Sequence, residues 1–282
     1  MADSDTQGLP AQQEIDARNS AFWDTLCGTG LAQHLGITDD SPASLRKFDD
    51  WFFALYPYLP QYIPFDEVAG RRVLEVGLGY GTVSQRLAEC GADYAGLDIA
   101  EGPAAMVNER LGRLGNGGRA QCGSILAAPF DDDSFDYVIA IGCYHHTGNM
   151  QRSIDESYRV LRPDGLLIGM VYNGYSYRRW CHAAGPTMRY LLWDWLGIGS
   201  SPIATAGERA AYDSDTRGNE APHTDFVSRR HLRRMCRRFT SFRAFLANIE
   251  REKPFMRRTR DELLTTRWPS RCGLDIYFHA RK

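Results

Sequence analysis

The sequence predicts an α/β fold built on an open, mainly parallel sheet with helices on both faces, and two observations carry this. The apolar run Val73-Leu74-Glu75-Val76 breaks into Gly77-Leu78-Gly79-Tyr80-Gly81, after which Val83, Leu87 and Cys90 fall at helical spacing before Gly91. A second apolar run, Ala92 to Leu97, then delivers Asp98. Strand, glycine turn, helix and strand in this order form one βαβ unit, with the turn and the acid at the same sheet edge.

Glycines at alternate positions leave a turn without β-carbons where a ligand must approach the backbone, and they accept positive φ. A carboxylate at the end of the next strand accepts hydroxyl protons from a ribose. The pair specifies a nucleoside, a feature shared by nicotinamide dehydrogenases and S-adenosylmethionine (SAM) methyltransferases. Two details favour the second class. The spacing is Gly-x-Gly-x-Gly, not the Gly-x-Gly-x-x-Gly that closes a helix N-terminus on a pyrophosphate. Glu75 would also repel a pyrophosphate, yet it suits a ligand carrying an ammonium and a sulfonium.

From about residue 71 to 172 the chain resembles the class I SAM-dependent methyltransferases. Gly123-Ser124-Ile125-Leu126, Ala128-Pro129-Phe130 and Asp133 to Ile139 look like that family's third strand, adenine loop and fourth strand. Tyr144-His145-His146 resembles its active-site edge, and Arg159 to Ile168 the following helix, Pro/Gly turn and fifth strand. The resemblance implies a Rossmann-like seven-stranded mixed sheet whose last strand is antiparallel, closed by strands near residues 240–247 and 274–280. It also implies SAM as cofactor. Gly77, Gly79 and Gly81 would line its methionine part, Glu75 would hold its amino group and Asp98 its ribose. Ile99, Ser124, Ile125 and Gly142 would complete the cofactor site. Many relatives carry an acid where Ser124 stands, which weakens the adenine contact. Met106 reads as a buried helix residue.

Composition agrees with a globular enzyme: 282 residues, 43% hydrophobic, 24% charged and net charge −2. The first residues lack a basic and apolar leader pattern, so a cytoplasmic location is expected. Seven scattered cysteines without a C-x-x-C pair predict free thiols and no structural zinc. No membrane-spanning run and no global basic field are present, so neither membrane nor nucleic acid is expected as a partner. Arginine pairs between Ser228 and Arg238 lie opposite Leu232, Met235, Cys236 and Phe239, which predicts an amphipathic helix with a solvated basic face.

Five regions follow: a disordered 1–12, a helical and aromatic cap over 13–68, the SAM-binding core over 69–172, an aromatic-rich insertion over 173–227, and a closing part over 228–282. The N-terminal helices either cap their own site or reach across a homodimer. The insertion carries Tyr175, Tyr177, Trp180, Tyr190, Trp193, Trp195 and Tyr212 and reads as a lid that sets acceptor choice. Two aromatic caps favour a small acceptor with aromatic or apolar surface.

Methyl transfer to oxygen or carbon needs orientation and a base for the departing proton. His145, His146 and His223 are the catalytic candidates, and Tyr144, Tyr172, Asn173 and Tyr56 the substrate contacts. Asp213 and Asp215 read as a solvated pair, so no metal is expected. The expected function is methylation of a small molecule at oxygen or carbon in secondary metabolism. The alternatives are a SAM- or nucleoside-binding regulatory protein without methyl transfer, and an N-methyltransferase.

Overall fold

The computed structural model describes residues 12–24, 32, 34–198, 201–215 and 217–282. Of the segment expected to be irregular, residues 1–11 lie outside these, and Gln12 already belongs to a helix.

Seven strands form one sheet: β1 (Arg72–Val76), β2 (Asp93–Asp98), β3 (Arg119–Cys122), β4 (Phe135–Ile141), β5 (Leu161–Tyr172), β6 (Ser241–Ala247) and β7 (Asp275–Arg281). Their order is β3-β2-β1-β4-β5-β7-β6. The ladders β1–β2, β2–β3, β1–β4 and β4–β5 are parallel, while β7 pairs antiparallel with both β5 and β6. The last strand therefore runs against the rest, as expected. The third strand differs from the sequence reading: it ends at Cys122, and Ser124 accepts from Leu126 N (3.2 Å) to cap a short 3-10 turn, Ile125–Ala127.

The central strands are apolar on both faces, as a sheet buried on both sides requires. Leu74, Val76, Val138, Ala140 and Leu167 face one core; Val73, Ile139, Ile168 and Met170 face the other. The strand order reverses between β1 and β4, the topological switch point of an open α/β sheet, where ligands bind beyond the carboxyl ends.

Helix α1 (Gln12–Trp23) and helix α2 (Pro42–Leu55) supply the N-terminal cap. α1 lies over the turn after β4: Gln12 Nε2 donates to Thr147 O (2.8 Å) and Asn19 Nδ2 to His146 O (2.7 Å). α2 begins at Ser41, whose side chain accepts from Ser44 N, with Pro42 in the first turn. Its Asp49 joins the cap to the core. One oxygen accepts from Thr82 Oγ1 (2.5 Å) on helix α3 (Thr82–Glu89), and the other from Arg110 Nη1 (2.8 Å) on helix α4 (Glu101–Arg113). Arg110 is 2% exposed, so removing its counter-ion leaves a buried cation with Gln85 Oε1 (2.6 Å) as its remaining anchor. Asp49→Ala is expected to lower unfolding stability by about 2 kcal/mol, below the usual cost of breaking a buried pair because Gln85 remains. Urea denaturation of the two proteins measures this.

Helix α5 (Met150–Val160) connects β4 to β5. Beyond β5 come helices α6 (Tyr177–His182), α7 (Ala184–Leu196) and α8 (Ala206–Ala210), then the arginine-rich helix α9 (Arg229–Met235). Ser228 caps α9 by accepting from His231 N, with Leu232 and Cys236 buried beneath it.

Candidate active site

The glycine turn after β1 uses its three glycines for different reasons. Gly77 has φ +77°, and a β-carbon there would lie 2.5 Å from Cys143 Cβ, so the residue lets β1 and β4 close on each other. Gly79 has φ +49°, and a β-carbon there would meet nothing within 4 Å. It faces the cavity. At Gly81, with φ +73°, a β-carbon would collide with Val107 and Arg110 of α4. Gly81 is absent from the cavity lining, so it serves helix packing in place of the ligand contact expected for it.

Asp98 fixes this turn from the end of β2. Its Oδ2 accepts from Leu78 N (2.7 Å) and its Oδ1 from Ala100 N (3.0 Å). Each oxygen keeps a further lone pair for a ligand hydroxyl. Burial pushes the carboxyl up, while the backbone N–H groups pull it down.

A cavity of about 520 Å³ opens above the turn. Gly77, Gly79, Asp98, Ile99, Ser124, Ile125 and Gly142, all expected from the sequence, line it. Ile99 and Ile125 present apolar surface, Asp98 a carboxylate, and Gly79 open backbone; these match an adenine, a ribose and a close-lying chain. The residues therefore fit SAM.

Glu75 lies on the other side of the same turn, beside a smaller cavity of about 150 Å³ that shares Gly77, Gly79, Tyr80 and Tyr56 with the first. Its Oε2 accepts from Ser84 Oγ (2.6 Å) and Tyr94 OH (2.7 Å). Burial pushes the carboxyl up to about 7 despite these two donors. A cationic amine bound there favours the ionised form, so binding below that pH must release a proton. The affinity for S-adenosylhomocysteine, which keeps the amino group, is expected to fall by up to about tenfold per pH unit as pH drops below 7. Glu75→Gln should bind more weakly and lose this dependence in calorimetric titrations.

The cavity mouth is formed by the short 3-10 turn Tyr144–His146 after β4. His146 lines the cavity. Its Nδ1 stands 2.7 Å from His223 O, an acceptor, so in the neutral ring Nδ1 carries the proton and Nε2 the lone pair. Nε2 faces Asp213 Oδ2 at 3.5 Å, and that same oxygen accepts from Tyr172 OH (2.8 Å). Burial pushes the Asp213 carboxyl up, opposed by His146 and the Tyr172 hydroxyl. A lone pair turned towards a carboxylate forms a proton-accepting site at the cavity wall.

Three other candidates stand elsewhere. His145 is fully buried beneath the wall, its ring 4.2 Å from that of His146 and 4.0 Å from that of Tyr172, with both ring nitrogens unpartnered. Burial and the neighbouring histidines hold it well below the usual histidine range, so it is neutral. His223 contributes its carbonyl to the site, while its Nε2 lies 3.1 Å from Asp225 Oδ2. Tyr144 points into the core, where its hydroxyl bonds Ser157.

Of the substrate contacts, Tyr56 and Tyr172 line the cavity. Asn173 does not: its Nδ2 donates to Gly273 O (2.8 Å) and its Oδ1 accepts from Tyr175 N (2.9 Å). Met106 packs with Phe48, Leu45 and Tyr80, as expected of a core residue.

The two caps supply further lining residues, of which Asn19, Phe22, Trp23 and Asp213 were not foreseen. Asn19, Phe22 and Trp23 of α1 and Trp51 of α2 close one side; Tyr212 and Asp213 close the other. Of the insertion's aromatics, Trp193 and Trp195 are exposed and Tyr177 packs in a separate apolar cluster, while Tyr212 lines the cavity. Asp215 accepts from Arg217 N and Asn219 N (both 2.8 Å), which ties it to its own turn.

Residues 74–169 match a family model described as a methyltransferase domain. The chain is 34% identical over 101 residues to a demethylmenaquinone methyltransferase of Tropheryma whipplei, covering 36% of this chain and 41% of that protein. It is 30% identical over 164 residues to the 27-O-demethylrifamycin SV methyltransferase of Amycolatopsis mediterranei, covering 56% of this chain and 58% of that protein. The chain thus spans about two-fifths of the length of the first of these relatives. Among solved structures the cyclase SpnF is similar with a TM-score of 0.53 at 16% identity, over 96% of this chain and 95% of that one. The matched segment is a methyltransferase domain, and the sheet order is that of the class I SAM-dependent methyltransferases. Its cofactor is SAM.

Proposed function

We propose that this chain transfers a methyl group from SAM to an oxygen or carbon of a small molecule with aromatic or apolar surface, with His146 and Asp213 receiving the proton that the acceptor loses. The observation that carries this reading is the His146 Nε2–Asp213 Oδ2 approach of 3.5 Å in the cavity wall, with Nδ1 held by a carbonyl. SAM, when bound, supplies an electrophilic methyl. The chain's own residues do the rest. Glu75, Asp98 and the Gly77–Gly79 backbone hold the donor; Tyr56, Trp23 and Tyr212 enclose the acceptor and exclude water; His146 takes the proton as the acceptor's nucleophilicity rises. A phenol or enol suits this device, because its proton must leave and its ring fits aromatic walls.

Two of the similar proteins are named as methyltransferases of a demethylmenaquinone and of a 27-O-demethylrifamycin, which supports a small-molecule acceptor and a role in secondary metabolism. The cyclase SpnF has the same fold, so the fold alone does not fix the reaction. The test is incubation of the purified chain with methyl-labelled SAM and a panel of phenols, hydroquinones and aromatic macrocycles. The expected result is label in an extractable product of at least one of them. Tight SAM binding with no transfer to any, and none to amines, would turn the reading towards a SAM-binding protein without methyltransferase activity.

A further inference from the structure

Helix α7 is built inside out. Thr187, Tyr190 and Asp194 form its inward stripe, spaced three and four residues apart. Each makes polar contacts: Thr187 Oγ1 donates to Arg179 O, Tyr190 OH accepts from Ser228 N, and Asp194 accepts from Arg234, Ser228 and Tyr175. The outward stripe is Met188, Leu191, Leu192, Trp195 and Leu196, at the i, i+3, i+4, i+7, i+8 spacing that ordinarily faces a core. Here Leu192 is 56%, Trp195 68% and Leu196 59% exposed, and Ile198 continues the ridge at 57%. A contiguous apolar ridge of this size marks an interaction surface.

The surroundings of the ridge are basic. Arg189 lies over the Trp193 ring, and two arginines of α9 reach the C-terminal end of α7: Arg230 Nη2 donates to Trp195 O (3.0 Å) and Arg234 Nη2 to Asp194 Oδ1 (2.6 Å). Helix α9 contains no acidic residue, and the sole acid of α7, Asp194, is buried and paired with Arg234. A two-fold contact with a second copy would bring these arginines against their own kind without an exposed acid from either helix to answer them. Apolar and indole side chains on one face, rimmed by arginine, are instead complementary to a bilayer surface with anionic headgroups. α7 has 13 residues, and among the described residues no helix is long and apolar enough to cross a membrane, so a bilayer contact through α7 would hold it in the interface plane.

We propose that helix α7, with the arginines of α9, docks this protein onto anionic membrane surfaces. The basic helix read from the sequence and, of the insertion's aromatics, Trp193 and Trp195 form this surface, where the sequence alone leads us to expect no membrane partner.

Flotation of the full chain with vesicles tests it. Vesicles of phosphatidylcholine containing roughly one-third phosphatidylglycerol should bind about tenfold or more tightly than phosphatidylcholine alone, with the difference shrinking in high salt. Tryptophan emission should shift to the blue on binding. The variant Leu192→Ser/Trp195→Ser/Leu196→Ser changes exposed side chains only. It should keep its S-adenosylhomocysteine affinity and lose vesicle binding, while Arg189→Gln/Arg230→Gln should bind neutral and anionic vesicles alike. Absence of binding to either vesicle, or equal binding by wild type and the triple variant, would overturn the proposal. So would a concentration-dependent dimer in sedimentation that the triple variant abolishes and anionic vesicles do not dissociate.

Discussion

Replacing His146 by alanine is expected to lower kcat by about 10²–10⁴, the usual contribution of a positioned acid–base group, while leaving the affinity for S-adenosylhomocysteine within a few-fold of wild type. The reason is geometric. His223 O fixes the imidazole tautomer from one side, and Asp213 stands 3.5 Å from the remaining lone pair. Asp213→Asn removes the charge that stabilises a protonated ring and should lower kcat by a smaller factor. Because the two groups share one proton, the double variant should be little worse than His146→Ala alone. His145→Asn serves as the contrast. His145 has no contact with the cavity, so its replacement should show itself in stability and in the setting of Tyr172 before it affects proton transfer. Steady-state rates with the acceptor found by the labelled-methyl screen, alongside calorimetry, separate these outcomes.

Asp98→Ala should weaken S-adenosylhomocysteine binding by about a hundredfold or more. Two losses combine. A buried carboxylate that accepts ligand hydroxyls contributes about 1.5–3 kcal/mol for each charged hydrogen bond. The same carboxylate also accepts from Leu78 N and Ala100 N, so its removal releases the turn that presents Gly77 and Gly79. Asp98→Asn keeps an acceptor oxygen, though one donor-bearing nitrogen now faces backbone N–H, and should fall between the two. Gly79→Ala is the milder probe of the same surface, since its β-carbon meets no protein atom within 4 Å and its cost to stability is confined to placing alanine at φ +49°. It should reduce affinity more than stability, whereas Gly77→Ala, driven against Cys143, should reduce both.

The nucleotide half of the site was legible because it is local. Glu75, the glycines and Asp98 fall within one βαβ unit, and chain order places them at one sheet edge. Even there the roles differ from a uniform glycine loop: Gly81 admits α4, and Asp98, read from the sequence as a ribose contact, also braces the turn through Leu78 N. The acceptor half was only partly legible. Tyr144, His145 and His146 occupy one 3-10 turn, in which three successive side chains point in three directions, so one of them reaches the cavity and nothing in the sequence says which. Tyr172 and Asn173 diverge at the end of β5, Tyr172 to the cavity and Asn173 to Gly273.

Asp213 was read as solvated because its neighbours in sequence are polar. Its actual partners, His146 and Tyr172, are 67 and 41 residues away in the chain. Trp23 and Asn19 come to the site through α1, which is anchored to the β4 turn by side-chain-to-carbonyl bonds that leave no periodic signal. The insertion's aromatics misled for a related reason. In α7 the apolar stripe has the spacing of a core face, and only the three-dimensional position of Asp194 and Tyr190 reveals that it faces outward.

In the proposed reaction, donor and acceptor meet in the cavity between the glycine turn and the His146–Asp213 wall. The most direct measurement is a nuclear Overhauser experiment on the full chain saturated with SAM carrying an isotopically labelled methyl. Cross-peaks from that methyl to ring protons of His146, Tyr172 or Tyr56, absent in Asp98→Ala at the same ligand concentration, are the predicted result. A saturable methyl signal with cross-peaks confined to residues outside this cavity would contradict it.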